Sequence, residues 1–279
     1  MTPNRTYGLI GFPVRHSLSP LIHNAAFSHL KLKARYKLFE VSPKELGDFL
    51  KSLSNNNISG LNVTIPYKEA ALKYLDTKDN AVKVIGAANT ILVDRKKRLK
   101  GFNTDYLGFS RHLTELKVKP KRVAIIGAGG ASRAVAFALA KKRAQEITVF
   151  DIDTFRSISL VKRFYDLFPK TKFKAVAKIE ELDMPNQDLL INASGVGMKD
   201  ADPCLIKEGM LHKDLFVYDL IYNPVQTKLL RLAEENGCLW ANGLGMLLYQ
   251  GVLSFEHFTG KSAPIKIMKE ALEKGAKKL

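Results

Sequence analysis

The sequence predicts an α/β fold, and three observations carry that prediction. Short apolar runs such as Tyr7-Gly-Leu-Ile-Gly-Phe12 alternate with longer segments of helical periodicity. The stretch from Arg122 to Val135 reads as a buried strand, a glycine turn over Gly127-Ala128-Gly129-Gly130-Ala131, and the start of an Ala-rich helix. A second strand, Glu146-Ile-Thr-Val-Phe-Asp151, follows and ends in a carboxylate 24 positions after Gly127. Strand, glycine turn, helix and acid-tipped strand make the unit that holds an adenine dinucleotide.

Each residue of that turn has a physical reason. Gly127 permits the sharp bend, and Gly129 has no Cβ to hold a pyrophosphate away from the backbone. The N–H groups of Gly129, Gly130 and Ala131 face the anion, helped by the positive end of the helix dipole. Ser132 stands at the third glycine position of G-x-G-x-x-G, so the match is imperfect. Asp151 is placed to grip ribose hydroxyls.

Composition bounds the rest. A chain of 279 residues, 46% hydrophobic, is long enough for two domains. No stretch reaches the roughly 20 apolar residues of a membrane span. The start, Met1-Thr-Pro-Asn-Arg-Thr6, lacks the apolar core of a signal peptide, so a cytoplasmic protein with no membrane partner is expected. Cys204 and Cys238 lie outside any C-x-x-C pattern, and no metal site is expected. The net charge of +17 raises nucleic-acid binding. Its lysines are scattered, however, and no recognition motif accompanies them, so no nucleic-acid partner is expected. Such a basic surface would draw in an anionic substrate and cofactor.

The first strand ends at Pro13 and leads to Ser17-Leu-Ser19-Pro20, with Ser19 read as N-cap of a helix running to about Leu30. A cap explains Ser19 but not Ser17, which sits where open α/β sheets bind ligands. A strand is expected over Tyr36–Val41 and a helix over Pro43–Leu53. Apolar Leu61, Val63 and Ile65 alternate with polar Asn62 and Thr64, and Pro66 then opens a helix. Lys68 falls in its first turn. A cation there opposes the helix dipole, which suits function better than stability. Gly86-Ala-Ala-Asn89-Thr90 turns into a strand, Arg95 to Arg98 is a hairpin tip, and Thr104 is read as the cap of a helix from Asp105 to about Leu116. The short polar groups at Asn89, Thr90, Asn103, Thr104 and Asp105 suit a ligand bearing many hydroxyls.

With these pieces in order, the chain resembles the shikimate dehydrogenase family. The shared motifs are His16-Ser17-Leu-Ser19-Pro20 with His23-Asn24, Asn62-Val-Thr-Ile-Pro-Tyr-Lys68, Gly86-Ala-Ala-Asn-Thr90, Asn103-Thr-Asp105 and Gly127-Ala-Gly-Gly-Ala-Ser-Arg133. Asn192-Ala-Ser194, Asp219-Leu-Ile-Tyr-Asn-Pro224 and Gly243-Leu-Gly-Met246 with Gln250 follow. The resemblance implies an N-terminal α/β substrate domain, residues 1–104 completed by 243–279, with an inserted Rossmann-type dinucleotide-binding domain over 105–242. The implied reaction is the reversible reduction of 3-dehydroshikimate to shikimate.

By the same resemblance Lys68 and Asp105 are the catalytic pair. Ser17, Ser19 and Tyr222 would bind the substrate carboxylate, while Thr64, Asn89, Asp105 and Gln250 would hold ring hydroxyls. Asn62 would brace them. On the cofactor side, Ala193, Ser194 and Leu220 would lie near the ribose, and Gly243 and Met246 against the nicotinamide.

One departure decides the expected cofactor. NADP-using relatives carry Asn-Arg-Thr where this chain has Asp151-Ile152-Asp153, so the arginine that clasps the 2′-phosphate is lost and two acids are gained. A like-charge contact at about 4 Å costs roughly 4 kcal/mol at an effective dielectric of 20, which is on the order of a thousandfold in affinity. NAD(H) is therefore expected to be preferred. Arg156 keeps NADP(H) open. Quinate is the rival substrate, and Ser19, where quinate-oxidising relatives often have threonine, favours shikimate. The methylenetetrahydrofolate dehydrogenase type lacks the Ser-x-Ser-Pro and Asn-Thr-Asp pieces, and retention of Lys68 and Asp105 argues against a redox sensor or a basic nucleic-acid binder. Monomer or homodimer is left open.

Overall fold

The computed structural model describes residues 5–207 and 209–279. The first residues read for a signal peptide, 1–4, lie outside that range. The chain divides into two compact units, one formed by residues through Gly108 with Leu247–Lys278 and the other by Phe109–Met246.

The first unit runs β1 (Arg5–Gly11), α1 (Ser19–His29), β2 (Ala34–Glu40), α2 (Leu46–Ser52), β3 (Ile58–Val63), α3 (Tyr67–Ala70), β4 (Thr77–Lys78), α4 (Asn80–Ile85), β5 (Thr90–Val93) and β6 (Leu99–Phe102). Helix α5 (Asp105–Glu115) starts here and continues past the division. The second unit holds β7 (Arg122–Ile126), α6 (Gly130–Lys141), β8 (Glu146–Phe150), α7 (Thr154–Tyr165), β9 (Lys172–Val176), β10 (Leu189–Asn192), β11 (Phe216–Asp219), α8 (Lys228–Glu235) and β12 (Leu239–Ala241). Helix α9 (Leu244–Thr259) crosses back, and α10 (Ile265–Ala276) ends the first unit.

The first sheet has the order β2-β1-β3-β5-β6-β4; β1 pairs in parallel with β2 and β3, and β5 is antiparallel to both neighbours. Ile10, Leu61, Val63 and Ile91 bury one face against Leu46, Leu50 and Leu53, with Tyr67 and Leu75 closing the cluster. Asn62 points to the other face yet is also buried. The alternation in β3 therefore separates an apolar core from a polar site rather than inside from outside.

The second sheet is all parallel in the order β12-β11-β10-β7-β8-β9. Strand order reverses between β7 and β10, which opens a crevice at their carboxyl ends. The glycine turn leaves β7 and the Ala193-Ser194 turn leaves β10, so both stand at that point. Ala124, Ile126, Leu190 and Val217 pack on Leu229, Leu230 and Ala233 of α8.

Two caps differ from expectation. Ser19 is the first helical residue of α1 rather than its N-cap, and Pro20 follows inside the first turn. The acceptor comes from Ser17, whose Oγ receives the Ser19 N–H at 3.2 Å. At α5, Thr104 is not the capping side chain; Asn103 Oδ1 accepts the Asp105 and Tyr106 N–H groups at 3.1 and 3.4 Å. Helix α2 begins at Leu46 rather than Pro43 because Ser42 donates through N–H and Oγ to the Glu45 carboxylate, a local turn that competes with the helix.

His23 of α1 is fully buried and stacks on Tyr36 with ring centroids 4.3 Å apart. Burial pushes its pKa down to about 3. The folded state therefore holds it neutral while the unfolded chain protonates below about 6.5, so stability falls as pH drops from there towards 3. Urea titrations at stepped pH should show this slope and its flattening in His23→Leu. An unchanged slope would place the acid sensitivity elsewhere.

Candidate active site

The turn from Gly86 to Asn89 gathers the first constellation. Gly86 closes α4 in the left-handed region at φ 73°, which favours glycine. Beyond it the Ala88 N–H donates to Lys68 O at 2.8 Å, Asn103 Nδ2 donates to Ala87 O at 2.9 Å, and the Asn89 N–H donates to Phe102 O at 3.1 Å. These bonds bring α3, the start of α5 and Asn89 together.

Lys68 Nζ then donates to Asp105 Oδ2 at 2.6 Å. Asn89 Nδ2 donates to Asp105 Oδ1 at 2.7 Å and lies 3.3 Å from Gln250 Oε1. The Lys68 side chain is 14% exposed and that of Asp105 is 5% exposed, so the pair is largely shielded from water. In such surroundings a charge-assisted bond fixes position strongly, because either partner alone would be a buried charge without a counter-ion.

Behind the pair lies a buried polar network. Asn62 Nδ2 donates to Thr90 Oγ1 at 3.0 Å and Ser254 Oγ at 2.8 Å, and Asn62 Oδ1 accepts from Tyr36 Oη at 2.8 Å. Thr104 Oγ1 stands 3.0 Å from Ser254 Oγ, and Asn89 Oδ1 accepts the Thr104 N–H at 2.7 Å. Asn62 thus ties β2 to β5 and α9. Ser254 was not singled out in the sequence, although its place four residues after Gln250 puts it on the same helix face, and it donates to Gln250 O at 2.9 Å. Ser254→Ala leaves Asn62 and Thr104 short of a partner, so unfolding by urea should show a loss of about 1–2 kcal/mol. An unaltered midpoint would mean the network re-pairs without it.

The remaining expected substrate residues are placed as follows. Ser17 is half-buried and its Oγ lies 3.2 Å from that of buried Ser19. Thr64 is half-buried at the end of β3, with its N–H on Ile10 O at 3.0 Å. Tyr222 belongs to the other unit and is half-buried on the loop after β11.

In the second unit the cradle forms around the glycine turn. Gly127 adopts φ +98°, and a Cβ there would lie 2.9 Å from the Ala193 carbonyl carbon, so glycine is required twice over. A Cβ on Gly129 would meet only Arg156 Nη2, at 3.5 Å, so the backbone here is uncrowded and has a guanidinium beside it. Helix α6 starts at Gly130, and the N–H groups of its first turn have no carbonyl one turn back within the helix. Ser132 is buried and its hydroxyl donates to Gly127 O, which explains how serine serves at the third glycine position. These features fit a dinucleotide pyrophosphate.

Other expected cofactor residues have roles the sequence did not reveal. The Ala128 N–H is directed at Asp151 Oδ2, 2.7 Å away, rather than at an open cradle. Asp151 Oδ1 accepts the Asp153 N–H at 2.9 Å, and Asp153 caps α7 through the Phe155 N–H at 3.1 Å. Asp151 therefore braces the glycine turn. Each of its oxygens retains a lone pair for a ribose hydroxyl. Ser194 Oγ donates to Asn192 Oδ1 at 2.7 Å. Leu220 is half-buried, Gly243 and Met246 are buried, and a Cβ on Gly243 would lie 2.1 Å from Leu220 O. Among the described residues, no group of His, Cys, Asp and Glu is placed to hold a metal, and no helix is long and apolar enough to cross a membrane.

A doubly wound sheet with this cradle, and a lysine–aspartate pair set among hydroxyls and amides, belong to an NAD(P)-dependent oxidoreductase that acts on an alcohol. Residues 9–91 match the shikimate dehydrogenase substrate binding domain, and residues 243–273 match the shikimate 5'-dehydrogenase C-terminal domain. Over 276 residues the chain is 43% identical to a shikimate dehydrogenase (NADP(+)) of Methanopyrus kandleri, spanning 95% of this chain and 93% of the relative. A solved shikimate dehydrogenase in complex with NADP+ is 38% identical with a TM-score of 0.88, over 97% of this chain and 95% of that one. The Listeria monocytogenes shikimate 5-dehydrogenase, solved with shikimate and NAD, is 36% identical with a TM-score of 0.84, over 97% and 96%. The chain belongs to the shikimate dehydrogenase family.

Proposed function

We propose that this chain reversibly reduces 3-dehydroshikimate to shikimate, with the first unit as substrate domain and the second as dinucleotide domain. The observation that carries the reading is the 2.6 Å contact between Lys68 Nζ and Asp105 Oδ2, held in a network of hydroxyls and amides. The chemistry supplied by a bound reduced nicotinamide is a hydride for the substrate's carbonyl carbon.

The residues do the rest. Lys68 Nζ gives a proton to the carbonyl oxygen as negative charge develops on it, and takes it back in the oxidative direction. Asp105 orients Nζ and accepts from the neighbouring hydroxyl of the ring. Asn89 fixes Asp105 from the far side, at 2.7 Å. Thr64, Asn89 and Gln250 bind ring hydroxyls, and Ser17, Ser19 and Tyr222 bind the carboxylate through neutral hydrogen bonds. A site of this kind rejects analogues lacking one hydroxyl, because a buried polar group is then left unpaired.

Gly129, Gly130 and Ala131 hold the pyrophosphate, with Gly127 and Ala128 shaping the turn and Asp151 on the ribose. Ala193, Ser194, Leu220, Gly243 and Met246 line the nicotinamide half. Arg156 sits beside Gly129 within reach of a phosphate. NAD is preferred, because Asp151 and Asp153 repel a 2′-phosphate and exposed Ile152 offers it no cation. Initial rates with shikimate and with quinate, each with NAD and NADP, test the whole reading. Turnover of shikimate above quinate supports it, and quinate as the better substrate overturns the substrate assignment.

A further inference from the structure

Asp219 has no task in that reaction, yet it ends β11 fully buried. Its Oδ1 accepts from Asn192 Nδ2 at 3.1 Å and the Ile221 N–H at 3.0 Å, and its Oδ2 accepts from Thr227 Oγ1 at 2.7 Å. The three donors stand on three segments: the end of β10, the loop leaving β11, and the N-cap of α8.

The first two segments run on into the cradle. Asn192 Oδ1 accepts the Ser194 N–H and Oγ, at 3.1 and 2.7 Å, while its Nδ2 also donates to Val196 O at 3.0 Å. The Ala193–Ser194 turn in its turn presses on Gly127. Ile221 O accepts the Gly243 N–H at 3.0 Å, and Gly243 lies against Leu220 O.

We propose that Asp219 is a positioning residue for the dinucleotide: its ionised carboxylate gathers the Ala193–Ser194 turn, the Leu220–Ile221 loop and Gly243 into the shape that holds the nicotinamide half, and its protonation releases them. This rests on the reading of the second unit as the cofactor domain. The reason is donor arithmetic. A carboxylate accepts from all three donors at once; once protonated on Oδ2 it donates to Thr227 Oγ1, so the buried hydroxyl's own hydrogen loses its acceptor and the tie to α8 is weakened.

Burial pushes Asp219 up to about 6, against the pull of the three hydrogen bonds, so the change falls within an accessible range. Charged groups on the packed segments are Asp202, which accepts the Gly197 and Lys199 N–H groups, with Lys199 and Lys228 near it. Those bonds hold Asp202 below its ordinary value, so it stays ionised throughout. Tyr218, the preceding residue, is pushed up by burial and stays neutral. The stability linkage has the opposite sign to the binding effect. A raised carboxyl pKa favours the folded state below 3.8 and costs stability as pH rises through about 6. Affinity lost on acidification through Asp219 therefore does not come from global unfolding.

The test is titration of NADH, and of NADPH, into the whole protein by nicotinamide fluorescence at about pH 8 and about pH 5. With the carboxyl titrating at about 6, the Kd of the wild type is expected to rise about eightfold between them, while Asp219→Asn is weakened about thirtyfold at both. Thr227→Val, which removes one donor and keeps the volume, should weaken binding about fivefold and retain the pH dependence. The KM for shikimate at saturating dinucleotide should move less than about twofold in either variant. Wild-type affinity in Asp219→Asn at both pH values overturns the proposal. Where that variant does not fold, unchanged affinity in Thr227→Val does so. A wild type that binds neither dinucleotide overturns the cofactor reading itself, and this proposal with it.

Discussion

Lys68→Met is expected to lower kcat about a thousandfold while shikimate affinity falls less than about tenfold. Methionine keeps the length and apolar stem of lysine and removes only the ammonium. The backbone of Lys68 stays tied through its carbonyl to the Ala88 N–H, and Asp105 keeps Asn89 as a partner. What is lost is the proton donor needed when charge develops on the carbonyl oxygen, an interaction made in the transition state rather than in the ground state. Stopped assays for kcat, with shikimate binding by calorimetry, separate the two effects. Near-normal turnover in the variant would remove Lys68 from the mechanism.

The second large effect concerns the cofactor. Asp151→Asn, Ile152→Arg and Asp153→Thr together are expected to move the ratio of kcat/KM for NAD and NADP about a thousandfold towards NADP. The exchange is mild for the fold. Asn retains an acceptor for the Ala128 N–H and gives up only the one for the N–H of residue 153, Thr still caps α7, and Ile152, 95% exposed, leaves room for a guanidinium. Any shift therefore reports on charge near the ribose: two acids that repel a 2′-phosphate are exchanged for a cation that binds one. A wild type that prefers NADP would overturn the role given to Asp151.

Much of this was legible in the sequence because the chemistry is local. The glycine turn announces itself through Gly127, Gly129 and the acid 24 positions on, and the sheet then sets it at the strand-order reversal between β7 and β10. Lys68 stood out because a cation in the first turn of a helix gains nothing from the dipole. What the sequence concealed is long-range. The bond from Ala128 to Asp151 spans 23 residues and exists only once β7 and β8 pair. Ser254 joins a network with Asn62, 192 residues away, that no local pattern encodes. The two misplaced caps are of another kind: Ser17 and Asn103 do the capping work given to Ser19 and Thr104, since neighbouring short polar side chains compete for the same N–H groups. Displaced from that task, Thr104 joins the network behind Asp105.

The most direct test of the central claim is a crystal structure of the protein with shikimate. The ammonium of Lys68 should lie about 3 Å from the hydroxyl that is oxidised, with a carboxylate oxygen of Asp105 on the adjacent hydroxyl. A ligand seated with that alcohol beyond hydrogen-bonding distance of the ammonium would contradict the account.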